Sequence, residues 1–137
     1  MNKSIIREIS FKLLYSIEIQ KQMDEEEIDL FLEDLEVDSD KVKSGIVADV
    51  QAIKDNSEEI EKQISENLKS DWKVERISKI NLAILKLAIY EMLYKKVPYK
   101  VVINEAVELA KKYGEDTSSS FINGVLATVV KKNELDS

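Results

Sequence analysis

Along most of this chain, apolar residues recur at the three- and four-residue spacing of a helix that buries one face. Ile6, Ile9, Leu13 and Ile17 predict a first helix from about Ser4 to Gln20, with Ile5 and Leu14 widening its stripe and Asn2 or Ser4 as its cap. The segment DEEEIDLFLEDLEVDSD reads as a short acidic helix with Ile28, Phe31, Leu32 and Leu35 inward, then a loop. A third helix runs through Val42, Ile46, Val50 and Ile53. Asn56 caps a fourth, where Glu59 completes a capping-box pattern and Ile60, Ile64 and Leu68 form a narrow apolar edge. From Ile77 to Tyr94 the chain is apolar almost all round, interrupted mainly by Ser78, Lys79, Asn81, Lys86 and Glu91. Such a helix belongs at the buried centre of a bundle, with Ile84 and Leu87 in the core. Pro98 breaks the chain after it. Val102, Ala106, Leu109 and Tyr113 then line a sixth helix closed by Gly114, and after a polar EDTSSS connector Phe121, Val125 and Val129 line the last. With no strand alternation, internal repeat or heptad, the expected fold is all-α: a single compact bundle of about seven helices, one domain over residues 1–137.

Composition agrees with that pattern and narrows the chemistry. Of 137 residues, 44% are hydrophobic and 34% charged, with three Gly and one Pro, a balance suited to a soluble helical protein with a real core. No apolar run approaches a membrane span, and Arg7, Glu8, Lys12 and Glu18 interrupt the first 20 residues, so neither a transmembrane segment nor a signal peptide is expected and the chain reads as cytoplasmic. The absence of Cys excludes disulfides and thiolate metal sites. The absence of His removes the usual general base, the serine triad and most zinc or iron sites. No phosphate-binding loop, dinucleotide fingerprint or nucleophile elbow occurs, DEEEIDLFLED lacks the glycine of a calcium loop, and pairs such as Glu58-Glu59 and Glu115-Asp116 read as solvated surface. The expectation is a non-enzyme with no cofactor and no metal.

A net charge of −7 argues against a nucleic-acid partner until its distribution is considered. Residues 1–21 hold four basic and two acidic side chains, residues 22–71 five and 17, and residues 72–137 eleven and eight. The acid lies in one block, and the two ends are free to meet as a weakly basic face.

Two polar interruptions of apolar stripes remain. Asn104 and Glu105 fall at the start of the sixth helix, where a carboxylate favours the positive helix end. A glycine within a helix costs about 1 kcal/mol relative to Ala, so Gly124 calls for close approach of a neighbouring backbone or a ligand. Asn123 beside it is placed to bond the preceding loop and hold DTSSS against the helix start. Gly124→Leu is accordingly expected to disturb packing.

At this point the residues carry a resemblance. REISFKLLYSIE is similar to the R-E-x-A-x-x-x-L-Y opening of the NusB transcription antitermination factors, and WKVERISKINLAILKLAIYEM resembles their central helix. VPYKVVINEAVELAKKYG and SSSFINGVL match their P-x-K-V-x-I-N-E-A-V-E-L-A-K and S-x-x-F-V-N-G-V-L signatures. The resemblance spans the whole chain and implies an all-α, non-enzymatic factor. It would pair with NusE, a protein also found in the small ribosomal subunit, and bind boxA-type single-stranded RNA of nascent transcripts. With other Nus factors it would help the transcribing RNA polymerase resist termination, chiefly in ribosomal RNA operons.

Carried over by position, the resemblance implies RNA contacts at Lys3, Arg7 and Lys12 of the first helix and at Thr117, Ser120 and Phe121 around the start of the last. Phosphate contacts plus an aromatic face are what single-stranded RNA requires. It implies NusE contacts at Tyr15, Ile19, Glu75 and Asn81. Phe121 and Tyr15 also fit apolar stripes, so a core role stays open for each. The chain departs from the family pattern in having Ser4 and Ser120 where basic residues are frequent, Asn81 for an acid, Lys86 for Arg and Ala127 for Asp. Fewer phosphate contacts imply weak RNA binding by this chain alone. Two alternatives remain: an accessory domain of the kind fused to RNA cytosine methyltransferases, though no Rossmann-like segment or Cys nucleophile is present, and a protein-interaction or ribosome-assembly module without its own RNA contact. The face presented to NusE is also able to close a homodimer.

Overall fold

A computed structural model describes residues 1–69 and 72–137; Asp71, which closes the acidic block, lies outside them. Its seven α-helices are α1 (Lys3–Gln20), α2 (Glu25–Asp34), α3 (Asp40–Asp55), α4 (Ser57–Ser65), α5 (Lys79–Leu93), α6 (Tyr99–Tyr113) and α7 (Ser118–Lys132), with a single 3-10 turn at Val74–Arg76. No strand occurs among the described residues, as the periodicity requires. The chain divides into two units, Met1–Asp55 and Asn56–Ser137.

In the first unit α1 packs against α2 and α3. The Asn2 side chain caps α1 by accepting from the Ile5 N–H at 2.8 Å, while Ser4 lies inside the helix. The buried arc of α1 is Ile9, Ser10, Phe11, Leu13 and Leu14. It is wide at mid-helix and open at the start, so Ile5 is exposed and Ile6 and Ile17 only half-buried. Asp24 and Glu27 form a reciprocal capping box at the head of α2, where three glutamates also meet the positive helix end. Of the four residues expected inward on α2, Leu32 alone is buried. Ile28, Phe31 and Leu35 are half-buried, and Val37 beyond the helix fills the core instead. A helix of ten residues brings little more than one side chain to the middle of a contact and leaves its neighbours at the rim. Ile46, Val50 and Ile53 bury the inner face of α3.

In the second unit α5 packs against α4, α6 and α7. Its residues from Ala83 to Met92 are all buried, ten in succession, so the apolar pattern did mark the centre of a core. Lys86 falls within that run, and its ammonium meets the Glu61 carboxylate of α4 at 3.4 Å. A buried cation needs such a partner, because leaving it unpaired in a low-dielectric interior costs several kcal/mol. Around α5 lie Ile60 and Ile64 of α4, Val102, Ala106 and Leu109 of α6, and Ile122, Val125, Leu126 and Val129 of α7.

The expected capping box at Asn56 does not form: its side chain makes no capping hydrogen bond. One residue joins α3 to α4, and its backbone at φ −108°, ψ 20° is outside the extended region from which a cap side chain reaches the helix N–H groups.

Leu87 is 4% exposed. Leu87→Ala should therefore lower unfolding free energy by about 2–5 kcal/mol in denaturant melts, and a loss below about 1 kcal/mol would contradict the packing described for α5.

Candidate functional site

The second unit holds a cavity of about 780 Å³ whose walls come from three places in the chain. The first wall is the start of α7. Gly114 ends α6 with its N–H on the Ala110 carbonyl at 2.8 Å, and its backbone is extended (φ −91°, ψ −169°). Glycine is required there by crowding, not by handedness: a Cβ would lie 2.5 Å from the Ser118 Oγ and 2.8 Å from the Ala110 carbonyl oxygen. Ser118, 2% exposed, folds back so that its Oγ accepts from the Glu115 N–H at 2.9 Å. That bond is the clamp on the serine segment. Asn123, expected in the role, is exposed. Thr117 occupies the N-cap position without a side-chain capping bond, Ser120 donates its hydroxyl to the Thr117 carbonyl at 3.2 Å, and Phe121 follows half-buried.

The second wall is the approach to α5. The Trp72 N–H donates to the Lys69 carbonyl at 2.9 Å, and the 3-10 turn carries the chain to Ser78. Ser78 caps α5 by accepting from the Asn81 N–H at 3.1 Å. Trp72 is 46% exposed as a residue, and its indole stacks on the Phe121 ring, centroids 5.7 Å apart and planes at 29°. The third wall is the segment after α4. Asn67 donates its side-chain amide to the Gln63 carbonyl at 2.6 Å. The end of α7 ties down the end of α4, from which this segment leaves, through Lys132 Nζ to the Glu66 carbonyl at 2.9 Å and Asn133 Nδ2 to Gln63 Oε1 at 3.0 Å. Lys69 and Arg76 bring two positive charges to the lining and Glu115 one negative. Asn67 Oδ1 and Asn81 Oδ1 are buried with no hydrogen-bond partner.

Thr117, Ser120, Phe121 and Asn81 thus line one cavity. Glu75 is exposed on the 3-10 turn. In the first unit, Lys3 is exposed and Arg7 half-buried one turn further along α1. Lys12 does not join them: nine residues from Lys3, at about 100° per residue, it points roughly half a turn away. Tyr15 and Ile19 share the side of the helix that carries Lys12. Ile19 is 50% exposed, whereas Tyr15 is half-buried with its ring stacked on Phe11 at 6.3 Å.

Two expectations about polar interruptions are corrected. α6 begins at Tyr99, directly behind Pro98, so Asn104 and Glu105 fall in its second turn and its first turn holds no acid. At Gly124 a Cβ would meet nothing within 4 Å, so no neighbouring backbone approaches it; the residue is exposed at the cavity lining. Sequence reasoning missed Trp72, Lys69, Arg76 and Asn67. The signal was the only tryptophan of the chain set among Lys69, Lys73 and Arg76.

The NusB family model matches residues 4–131. The transcription antitermination protein NusB of Acetivibrio thermocellus is 47% identical over 132 residues, 96% of this chain and 90% of that one. The structure of T. maritima NusB superposes with a TM-score of 0.84 at 32% identity, covering 99% of this chain and 97% of that one. A crystal structure of antitermination factors NusB and NusE in complex with dsRNA contains a chain of the same fold, with a TM-score of 0.84 at 22% identity over 95% of this chain and 96% of that one.

The two glycines should respond in opposite directions. Gly114→Ala should destabilise by about 1–3 kcal/mol, since Ser118 or the Ala110 carbonyl must move. Gly124→Ala should stabilise by about 0.5–1 kcal/mol, because an open helical position gains propensity at no steric cost. Thermal unfolding of the two variants checks both, and a Gly114→Ala protein as stable as the parent would show that the serine clamp tolerates a methyl group.

Proposed function

The chain belongs to the NusB family, and from that premise we propose that it is a transcription antitermination factor binding boxA-type single-stranded RNA together with NusE. The observation that carries the reading is the family match over residues 4–131. In this reading residues 1–137 act as one RNA- and protein-binding domain in the cytoplasm, without catalysis, and the pair helps a polymerase resist termination in ribosomal RNA operons. Among the described residues no helix is long and apolar enough to cross a membrane.

Lys3 and Arg7, one turn apart on α1, are the phosphate contacts of the first unit, with Lys12 a separate cation on the opposite side of the helix. Phe121, with Thr117 and Ser120 beside it, offers an aromatic side chain at the cavity lining in the second unit. Tyr15 and Ile19 supply an apolar patch on α1 for NusE, and Glu75 and Asn81 are the contacts proposed for it in the second unit. So few cations imply that NusE contributes most of the affinity.

Binding of boxA RNA should be weak for this chain alone, strengthen with NusE, and fall steeply as salt rises. Arg7→Ala should weaken all RNA sequences alike and flatten the salt slope by about one unit or less. Phe121→Ala should cost about 1–3 kcal/mol with little change in slope. A salt titration of both variants with NusE present tests this: if both stay folded and bind like the parent, the RNA face lies elsewhere.

A further inference from the structure

We propose that the turn between α5 and α6 is a second contact for single-stranded RNA, in which Lys95, Lys96 and Lys100 hold the backbone of a stretch flanking the boxA element and Tyr94 stacks on one of its bases. The inference rests on the RNA-binding reading above and extends it to a surface far from the cavity.

The distance follows from the helical hairpin that α5 and α6 form. Ser78, which caps α5, lines the cavity, and so does Glu115, just beyond the end of α6. Each helix has 15 residues, so at about 1.5 Å per residue both carry the chain about 22 Å from the cavity to the turn. A nucleotide bound at Phe121 does not reach that far, and a ligand that touches both places must be an extended chain.

The turn is cationic and aromatic together. From Tyr94 to Asn104 there are three lysines and no acid, in a chain whose net charge is −7. Lys95, Lys96 and Lys100 are all exposed, whereas the flanking acids Glu91 and Glu105 are buried and half-buried. Tyr94 is 39% exposed, and its ring stacks on that of Tyr90, a residue only 8% exposed, with centroids 5.8 Å apart and planes at 23°. A tyrosine supported from the core in this way is held ready as a stacking platform. The backbone beneath the lysines is fixed as well. The Lys95 N–H donates to the Tyr90 carbonyl at 3.2 Å, the Val97 N–H donates to the Glu91 carbonyl at 3.0 Å, and Pro98 restricts the start of α6. Little order is then lost when a strand settles on the turn.

The chemistry favours RNA over a protein partner. Protein interfaces are depleted of lysine relative to the rest of the surface, whereas single-stranded RNA takes cations for its phosphates and aromatic faces for its bases. Three lysines and a supported tyrosine within residues 94–100 fit the RNA.

The test is fluorescence anisotropy with NusE present, on the labelled boxA element alone and on the same element with a tail of about ten uridines at its 5′ or 3′ end. One tail should tighten binding by about 10- to 100-fold at low salt and steepen the salt slope by about two units, three contacts at roughly 0.7 each. The double variant Lys96→Gly, Lys100→Gln should flatten the slope of that tailed RNA by about 1.4 units and leave the boxA element alone unchanged. Lys96 is left-handed at φ 58°, so glycine relieves strain there and the variant stays folded. Tyr94→Ala should lose about 5-fold or more of the gain at unchanged slope, and Tyr94→Phe should keep it. The inference is overturned if neither tail tightens binding while the boxA element binds with the expected dependence on Arg7 and Phe121. It is equally overturned if the double variant weakens tailed and untailed RNA alike, or if it loses NusE binding and keeps the gain from the tail. If no RNA binds at all, the RNA-binding reading fails and this inference with it.

Discussion

Burial of α5 is the constraint from which the second unit follows. Ten consecutive residues from Ala83 to Met92 need cover on every side, so three other helices must surround them. Including Lys86 in that run adds a condition, since its ammonium must have a counter-charge, and Glu61 on α4 supplies one. At its N-terminal end α5 leaves the core, and there Ser78 and Asn81 reach the cavity lining. The cavity thus lies where one end of the buried centre comes to the surface.

The other walls are held by side-chain hydrogen bonds as well as by apolar packing. Gly114 lets Ser118 fold back, and the Ser118 hydroxyl fixes the direction in which α7 starts. That direction decides where Phe121 stands, and Phe121 in turn supports Trp72. At its far end α7 holds the end of α4, where the third wall begins, through Lys132 and Asn133. One helix therefore sets two walls, and a methyl group added at Gly114 acts on a stack several residues away.

An acidic chain is able to hold a polyanion because the range of charge is short. At physiological salt the field of an exposed side chain fades over about 8 Å, so the local set of charges matters more than the net value of −7. Lys69 and Arg76 lie at the cavity lining with one opposing acid, Glu115, and Lys3 and Arg7 lie a turn apart on α1. Much of the acid is concentrated in α2, where three glutamates in the first turn also stabilise the helix end.

Periodicity determined the seven helices and the buried character of α5, because helix formation and burial of one face are local, repeating demands, and residue type marked the breaks at Pro98 and Gly114. The signature residues marked Phe121 and its loop. Tertiary structure decided what depends on neighbours distant in the chain. Gly114 and Gly124 look alike as glycines at or in helices, yet a Cβ would collide at the first and meet nothing at the second. Asn56 looked like a cap and failed because the joint before α4 is a single residue with the wrong backbone angles. Asn67 and Asn81 are ordinary amides in the sequence, and only the fold buries their oxygens without a partner. Whether a polar atom is satisfied is a property of three-dimensional neighbours, and no spacing rule along one helix contains it.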